Sequence, residues 1–89
     1  MRRVRVIVSG HVQGVFFRTS CARAAEERGV AGWIRNRDDG SVEAVFEGPP
    51  GAVAALVAWC RAGPRGASVA GLESFDESPI GERGFRITG

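Results

Sequence analysis

The segment "RRVRVIVSGHVQGVFFR", residues 2–18, decides the fold because its hydrophobic pattern changes from one kind of element to another. Over about residues 3–9, valines alternate with arginines, which is the period-two pattern of a β-strand with one face in water. From about residue 18 the apolar residues follow one face of a helix, through Phe17, Cys21 and Ala25. The segment therefore predicts a strand, a loop and a helix in succession.

The loop between that strand and helix, "GHVQGVFFR" (Gly10–Arg18), has an unusual composition. A connection that only reverses the chain favours Asn, Asp, Ser or Pro, whereas this one contains Val12, Val15, Phe16 and Phe17. A loop that leads into a helix N-terminus presents backbone N–H groups without partners, and the helix dipole adds positive charge there. We therefore expect this loop to bind an anion.

Two glycines and an arginine in the loop agree with an anion site. Gly10 and Gly14 let the backbone turn sharply and approach a ligand closely, and the Arg18 guanidinium offers a planar fork that suits phosphate. The loop is not a nucleotide-binding P-loop, because that motif needs a lysine and the chain has none.

The rest of the chain supplies three or four more strands and one more helix. "AGWIRNR" (31–37) and "SVEAVFEG" (41–48) read as strands joined by the tight hairpin signal "DDG". "PGAVAALVAWCRAGP" (50–64) has the spacing of a helix that ends in the usual glycine and proline. A weaker strand follows at about 67–76, and "FRIT" (85–88) can add a short last one.

The order β-α-β-β-α-β predicts an α+β fold, the ferredoxin-like split βαβ sandwich. Two helices would pack on one face of a four- to five-stranded antiparallel sheet, and residues 1–89 would form a single domain. The first and second strands would run in the same direction with the third between them, so that their ends lie about 10 Å apart. Arg18 and the segment "RNRDDG" can then meet across that gap.

Composition argues against several classes of protein. The chain has a net charge of +2, and its twelve arginines are spread among ten acidic residues, which does not resemble a nucleic-acid surface. No apolar run has the length of a membrane span or a signal-peptide core, so we expect a cytoplasmic protein without membrane contact. Cys21 and Cys60 have no CxxC spacing and no histidine pair nearby in sequence, so we expect free structural thiols.

Two segments of the chain resemble the signatures of the acylphosphatase family. "GHVQGVFFR" matches every fixed position of the pattern glycine-x-valine-glutamine-glycine-valine-x-phenylalanine-arginine. "GWIRNRDDGSV" matches the second pattern, glycine-x-valine-x-asparagine-x-x-aspartate-glycine-x-valine, except that Ile34 replaces a valine. The length, the order of elements and "GPRGASV" after the second helix also look like the family, so the resemblance covers essentially the whole chain.

The resemblance implies hydrolysis of an acyl phosphate to a carboxylate and inorganic phosphate, with no cofactor and no metal. The phosphate-binding loop would be Gln13–Arg18, formed by Gln13, Gly14, Val15, Phe16, Phe17 and Arg18. Arg18 would hold the phosphoryl group and Asn36 would orient the attacking water. Inorganic phosphate would be both product and inhibitor, and we expect a monomer.

Other interpretations of these residues stay open at this stage. By spacing alone Asn36 is a hairpin turn residue, and Gln13 only braces its loop. The chain could also be a carbamoyl-phosphate-handling module, as in hydrogenase-maturation carbamoyltransferases, although it ends at Gly89 with no further domain. A noncatalytic ferredoxin-like anion-binding domain is the third possibility, and it would not need Arg18 and Asn36 together.

Overall fold

The predicted order of elements is confirmed. In the computed structural model, which describes residues 1–89, the elements are β1 (Arg2–His11), α1 (Phe17–Glu27), β2 (Ala31–Asn36), β3 (Val42–Gly48), α2 (Pro50–Ala62), β4 (Ser68–Glu77) and β5 (Phe85–Ile87). Gly29, with a φ of 66°, follows the end of α1, and Gly63, with a φ of 70°, caps α2. Neither helix is long and apolar enough to cross a membrane.

The five strands form one sheet in the order β4-β1-β3-β2-β5. As predicted, β3 lies between β1 and β2 and is antiparallel to both, and β4 is antiparallel to β1. The prediction of a wholly antiparallel sheet is wrong for β5, which pairs parallel to β2 through Gly32 and Phe85. Residues 78–84 connect β4 at one edge with β5 at the other, and this crossing sets the direction of β5.

The hydrophobic core lies between one face of the sheet and the two helices. Every second residue of β1 and β3 contributes to it, because side chains alternate between the two faces of a strand. Its strand residues include Val4, Val6, Val8, Ile34, Val42, Ala44 and Phe46, and its helix residues include Phe17, Cys21, Ala25, Val53, Leu56 and Cys60.

Both cysteines of this core are free and buried, as expected. A hydrogen bond with Cys60 and burial raise the pKa of the Cys21 thiol well above its ordinary value. The Cys21 thiol therefore stays protonated, and both cysteine side chains contribute to packing between α1 and α2.

The opposite face of the sheet carries a network of charges rather than a second core. Arg3 is almost fully buried there, and its guanidinium donates to Glu47 at 3.2 Å, Glu77 at 2.9 Å and Glu82 at 3.1 Å. Arg5 extends the network, with bonds to Glu77 and to Glu43 on β3. These contacts connect the strands on the side that the helices leave open.

Glu47 also fastens the segment 78–84 to this face. Its carboxylate accepts backbone N–H bonds from Ile80 at 3.0 Å, Gly81 at 2.8 Å and Glu82 at 2.9 Å. The amides of Ile80 and Glu82, together with Arg3, hold the pKa of the Glu47 carboxyl below its ordinary value. Glu47 thereby fixes the crossing that leads from β4 to β5.

We expect Glu47→Gln to lower the melting temperature near neutral pH, because its amide group would face N–H donors that need an acceptor. Since the folded-state pKa of Glu47 is lowered, its stabilisation is present above the unfolded value of about 4.3 and is lost as the pH falls through the folded pKa. The Tm difference between parent and variant should therefore shrink as the pH falls. Circular dichroism melts measure it, with Glu26→Gln on exposed α1 surface as the control. A difference that stays constant with pH would contradict the prediction.

Candidate active site

One cavity of about 440 Å³ opens where the loop after β1 meets the end of β2. Its volume lies within the range of about 300 to 1,000 Å³ that is usual for small-molecule sites. The lining residues are Val12, Gly14, Phe16, Phe17, Arg18, Thr19 and Asn36. The pairing of β1 and β2 with β3 thus brings Arg18 and Asn36 to the same cavity.

The backbone of the loop has the geometry of an anion cradle. Gly14 and Phe16 both lie in the left-handed region, with φ of 74° and 60°, on either side of Val15. The amides of Gly14, Val15 and Phe16 donate to no acceptor within the protein. The first turn of α1, which begins at Phe17, adds further amides without intrahelical partners and the positive end of the helix dipole. Such a run of amides suits a tetrahedral oxyanion.

Two residues of the predicted phosphate-binding loop lie behind the cavity rather than on its surface. The Gln13 side chain donates from Nε2 to the carbonyl oxygens of Arg37 at 2.8 Å and Ser41 at 3.0 Å, on the turn between β2 and β3. Val15 is partly buried against the hydrophobic core. Gln13 therefore braces the loop, and both side chains hold it in position against the sheet.

The expectation that Gly10 helps the loop approach a ligand is wrong. Gly10 still belongs to β1, where the pairing with β4 shifts register after Ser9 and Gly10 adopts a φ of 120°. A Cβ atom there would lie 2.3 Å from the carbonyl oxygen of Ser68, so the close approach is to β4. Gly10 permits a β-bulge, which the sequence alone does not distinguish from a loop glycine.

The carbonyl oxygen of Gly89 connects Arg18 with Asn36. It accepts a bond from the Arg18 guanidinium Nη1 at 2.5 Å and one from the backbone N–H of Asn36 at 3.0 Å. One of the five guanidinium N–H groups of Arg18 is used in this way. The contact fixes the guanidinium beside the end of β2 and leaves its other donors for a ligand.

Asn36 is the last residue of β2 and does not form the hairpin turn. The turn lies at Arg37 to Gly40, where the Gly40 amide donates to the Arg37 carbonyl at 3.2 Å. Hydrogen bonds from Ser41 stabilise it and lower the pKa of the Asp39 carboxyl. The side-chain oxygen Oδ1 of Asn36 is buried and has no donor within the protein. An acceptor in that state at a cavity wall is suited to a donor on a ligand or a bound water.

Sequence reasoning missed Val12, Thr19 and Gly89. Thr19 follows Arg18 in the first turn of α1, and its position next to the predicted arginine was the signal available for it. Gly89 lies 71 residues from Arg18 along the chain, and no local pattern joins the two. No three His, Cys, Asp or Glu side chains come close enough together to hold a metal ion.

Comparison with known proteins finds one family along almost the whole chain. A sequence model of the family described as acylphosphatase matches residues 4–87. An acylphosphatase of Rubrobacter xylanophilus is 58% identical over 97% of this chain and 79% of the relative. The crystal structure of acylphosphatase from Bacillus subtilis superposes with a TM-score of 0.96 at 38% identity and covers all of both chains. HypF from T. kodakarensis has a TM-score of 0.85 at 28% identity, with 100% of this chain matching 12% of that one.

Inorganic phosphate is expected to bind at the loop amides. Its addition to isotope-labelled protein should shift the amide resonances of Gly14, Val15 and Phe16 most, because these groups have no acceptor within the protein. Amide correlation spectra measure the shifts, and sodium chloride at matched ionic strength is the control. Larger shifts at Arg35 or Arg37, two arginines near the hairpin, would argue against this site.

Proposed function

The chain belongs to the acylphosphatase family, and from this we propose that it hydrolyses acyl phosphates in the cavity between the Gln13–Arg18 loop and Asn36. The reaction splits the carboxyl–phosphate anhydride into a carboxylate and inorganic phosphate. The observation that carries the proposal is the buried Oδ1 of Asn36, an acceptor without a donor, at the wall that Arg18 also lines. A noncatalytic anion-binding domain would need Arg18 and the loop amides but not that acceptor.

Arg18 and the loop amides hold the phosphoryl group in this proposal. Phosphoryl transfer depends mainly on positioning and on stabilisation of charge at the phosphoryl oxygens. At an effective dielectric near 20, a guanidinium about 4 Å from one unit of that charge contributes on the order of 4 kcal/mol before desolvation is subtracted. The Gly89 carbonyl keeps the guanidinium in place, so that less conformational entropy is lost when substrate binds.

Asn36 orients the attacking water. A water that donates one O–H to Oδ1 of Asn36 has a fixed position, with a lone pair free to attack phosphorus. The water oxygen forms the new bond to phosphorus while the bond from phosphorus to the acyl oxygen breaks, and the carboxylate leaves with that electron pair. The other proton of the water passes to a phosphoryl oxygen of the substrate.

This route needs neither a general acid nor a metal. The leaving group is a carboxylate whose conjugate acid has a pKa of about 4, so it departs without protonation. The only histidine, His11, is exposed at the end of β1 and does not line the cavity. The positive charge of Arg18 and the amides supplies the stabilisation that a metal ion provides in other phosphoryl-transfer enzymes.

We further propose that the protein acts as a monomer in the cytoplasm. The loop after β1 and the end of β2 form the cavity within a single copy of the chain, which supports this proposal. Two free thiols fit a reducing compartment.

Arg18→Ala should weaken inhibition by inorganic phosphate and also lower kcat, because Arg18 contacts the phosphoryl group before and during the reaction. The expected loss in kcat/KM is about 10² to 10⁴, or roughly 3 to 5 kcal/mol. Arg18→Lys should also have a low kcat/KM, since an ammonium group cannot replace the planar guanidinium. Phosphate release from benzoyl phosphate measures the effect, with Arg23→Ala on the exposed side of α1 as the matched control. An Arg18→Ala variant with parental kinetics would remove Arg18 from the mechanism.

Asn36→Ala should lower kcat without the loss of phosphate binding that is expected for Arg18→Ala. A group that contacts only the water contributes little to ground-state binding, so kcat should fall by about 10² to 10³ while inhibition by phosphate stays nearly unchanged. Thermal melts close to the parent's are required for both variants. If folded Asn36→Ala kept full kcat, or lost phosphate binding as severely as Arg18→Ala, the water-orienting role would be wrong.

Turnover should not depend on a divalent metal, because the leaving carboxylate requires no Lewis acid. Phosphate release is to be measured before and after exhaustive chelation, followed by addition of Mg²⁺. Unchanged rates are expected throughout. Loss of activity on chelation with recovery in Mg²⁺ would show that the mechanism is incomplete.

A further inference from the structure

Phe16 combines two unfavourable features at the candidate active site. Its side chain is 80% exposed, although an exposed phenylalanine gains nothing from the hydrophobic effect. Its backbone is the only non-glycine position of the chain with a positive φ, at φ 60° and ψ 27°. Left-handed geometry is disfavoured for a residue with a bulky side chain, and glycine would adopt it freely. A loop that served only to bind phosphate through its amides would not need a ring here.

Phe17, the next residue in the chain, is not exposed as Phe16 is. Phe17 is buried, and its ring packs edge-on against Trp59 of α2 with 5.3 Å between centroids. The left-handed turn at Phe16 sends the two consecutive phenylalanines in different directions, one into the core and one to the cavity. Phe17 anchors the loop, and the ring of Phe16 is left free to contact a ligand.

Phe16 is also the only apolar residue of the cavity lining that is exposed. Three apolar residues line the cavity, but Val12 is 1% exposed and Phe17 is 2% exposed. Two of the polar lining residues, Arg18 and Asn36, are assigned to the phosphoryl group and to the water. The acyl group of a substrate must leave phosphorus on the side away from that water. The apolar surface available to it is the ring of Phe16.

We propose that Phe16 is a specificity-determining residue whose ring stacks on the acyl group, so that the protein favours acyl phosphates with a flat aromatic acyl group over those with a short aliphatic one. The inference rests on the proposed function and extends it from the phosphate end of the substrate to the acyl end. An aromatic pair of this kind corresponds to a preference of about 3- to 10-fold.

The test compares kcat/KM for benzoyl phosphate and acetyl phosphate, which share the phosphate end and differ in the acyl end. The variants are Phe16→Gly, which removes the ring and tolerates the left-handed backbone, and Phe16→Leu, which keeps an apolar side chain without a flat face. The benzoyl-to-acetyl ratio should fall by about 3- to 10-fold in Phe16→Gly, through a higher KM for benzoyl phosphate, and by less in Phe16→Leu. Ile80→Ala, which truncates another exposed apolar side chain on the far face of the sheet, should leave the ratio unchanged.

The outcomes separate this inference from the proposed function. The inference is overturned if folded Phe16→Gly keeps the parental benzoyl-to-acetyl ratio, because the ring then does not contact the acyl group. This holds both when the rates are unchanged and when they fall equally for the two substrates. If the unmodified protein hydrolyses neither substrate, the proposed function fails and the inference fails with it. A fall in the ratio for Phe16→Gly, with parental values for Ile80→Ala, supports it.

Discussion

The hydrogen-bonded pairing of β3 with both β1 and β2 is the constraint on which the candidate site depends. Val42 at the start of β3 pairs with Val8 of β1 on one side and with Asn36 of β2 on the other. Asn36 is therefore held two strand spacings, about 10 Å, from the strand that leads into the phosphate-binding loop. A shift of one residue in the β2–β3 register would turn the Asn36 side chain to the opposite face of the sheet.

Several locally unfavourable features are concentrated around the cavity and are supported from outside it. A left-handed phenylalanine and the buried Oδ1 of Asn36 both destabilise the protein on its own, and the loop amides beside them have no acceptor within it. Contacts behind the cavity hold the loop in this geometry, namely the Gln13 side chain on the β2–β3 turn and the Phe17 ring on Trp59. Unfavourable geometry that the surrounding structure keeps in place is typical of a site arranged for a ligand.

The sequence predicted the parts of the structure that have a local period or a local motif. Alternating valines predicted β1, helical spacing predicted α1 and α2, and "DDG" predicted the hairpin. The parallel pairing of β5 was not predictable, because a strand of three residues has no pattern of its own and its direction is set by the crossing of residues 78–84, to which Glu47 binds. The β-bulge at Gly10 and the contact of Arg18 with Gly89 were missed for the same reason, since both join parts of the chain that are distant in sequence.

The distribution of ion pairs explains why Arg18 is suited to an anionic ligand and several other arginines are not. Arg3, Arg5 and Arg35 lie along the sheet with glutamate carboxylates at 2.7 to 3.2 Å, so their charges are already compensated. Arg18 forms no ion pair with an Asp or Glu side chain, and its hydrogen-bond partner is the main-chain oxygen of Gly89. A glutamate carboxylate paired with Arg18 would compete with phosphate for the same donors, and the attraction that Arg18 offers a substrate would be largely cancelled before the substrate arrived.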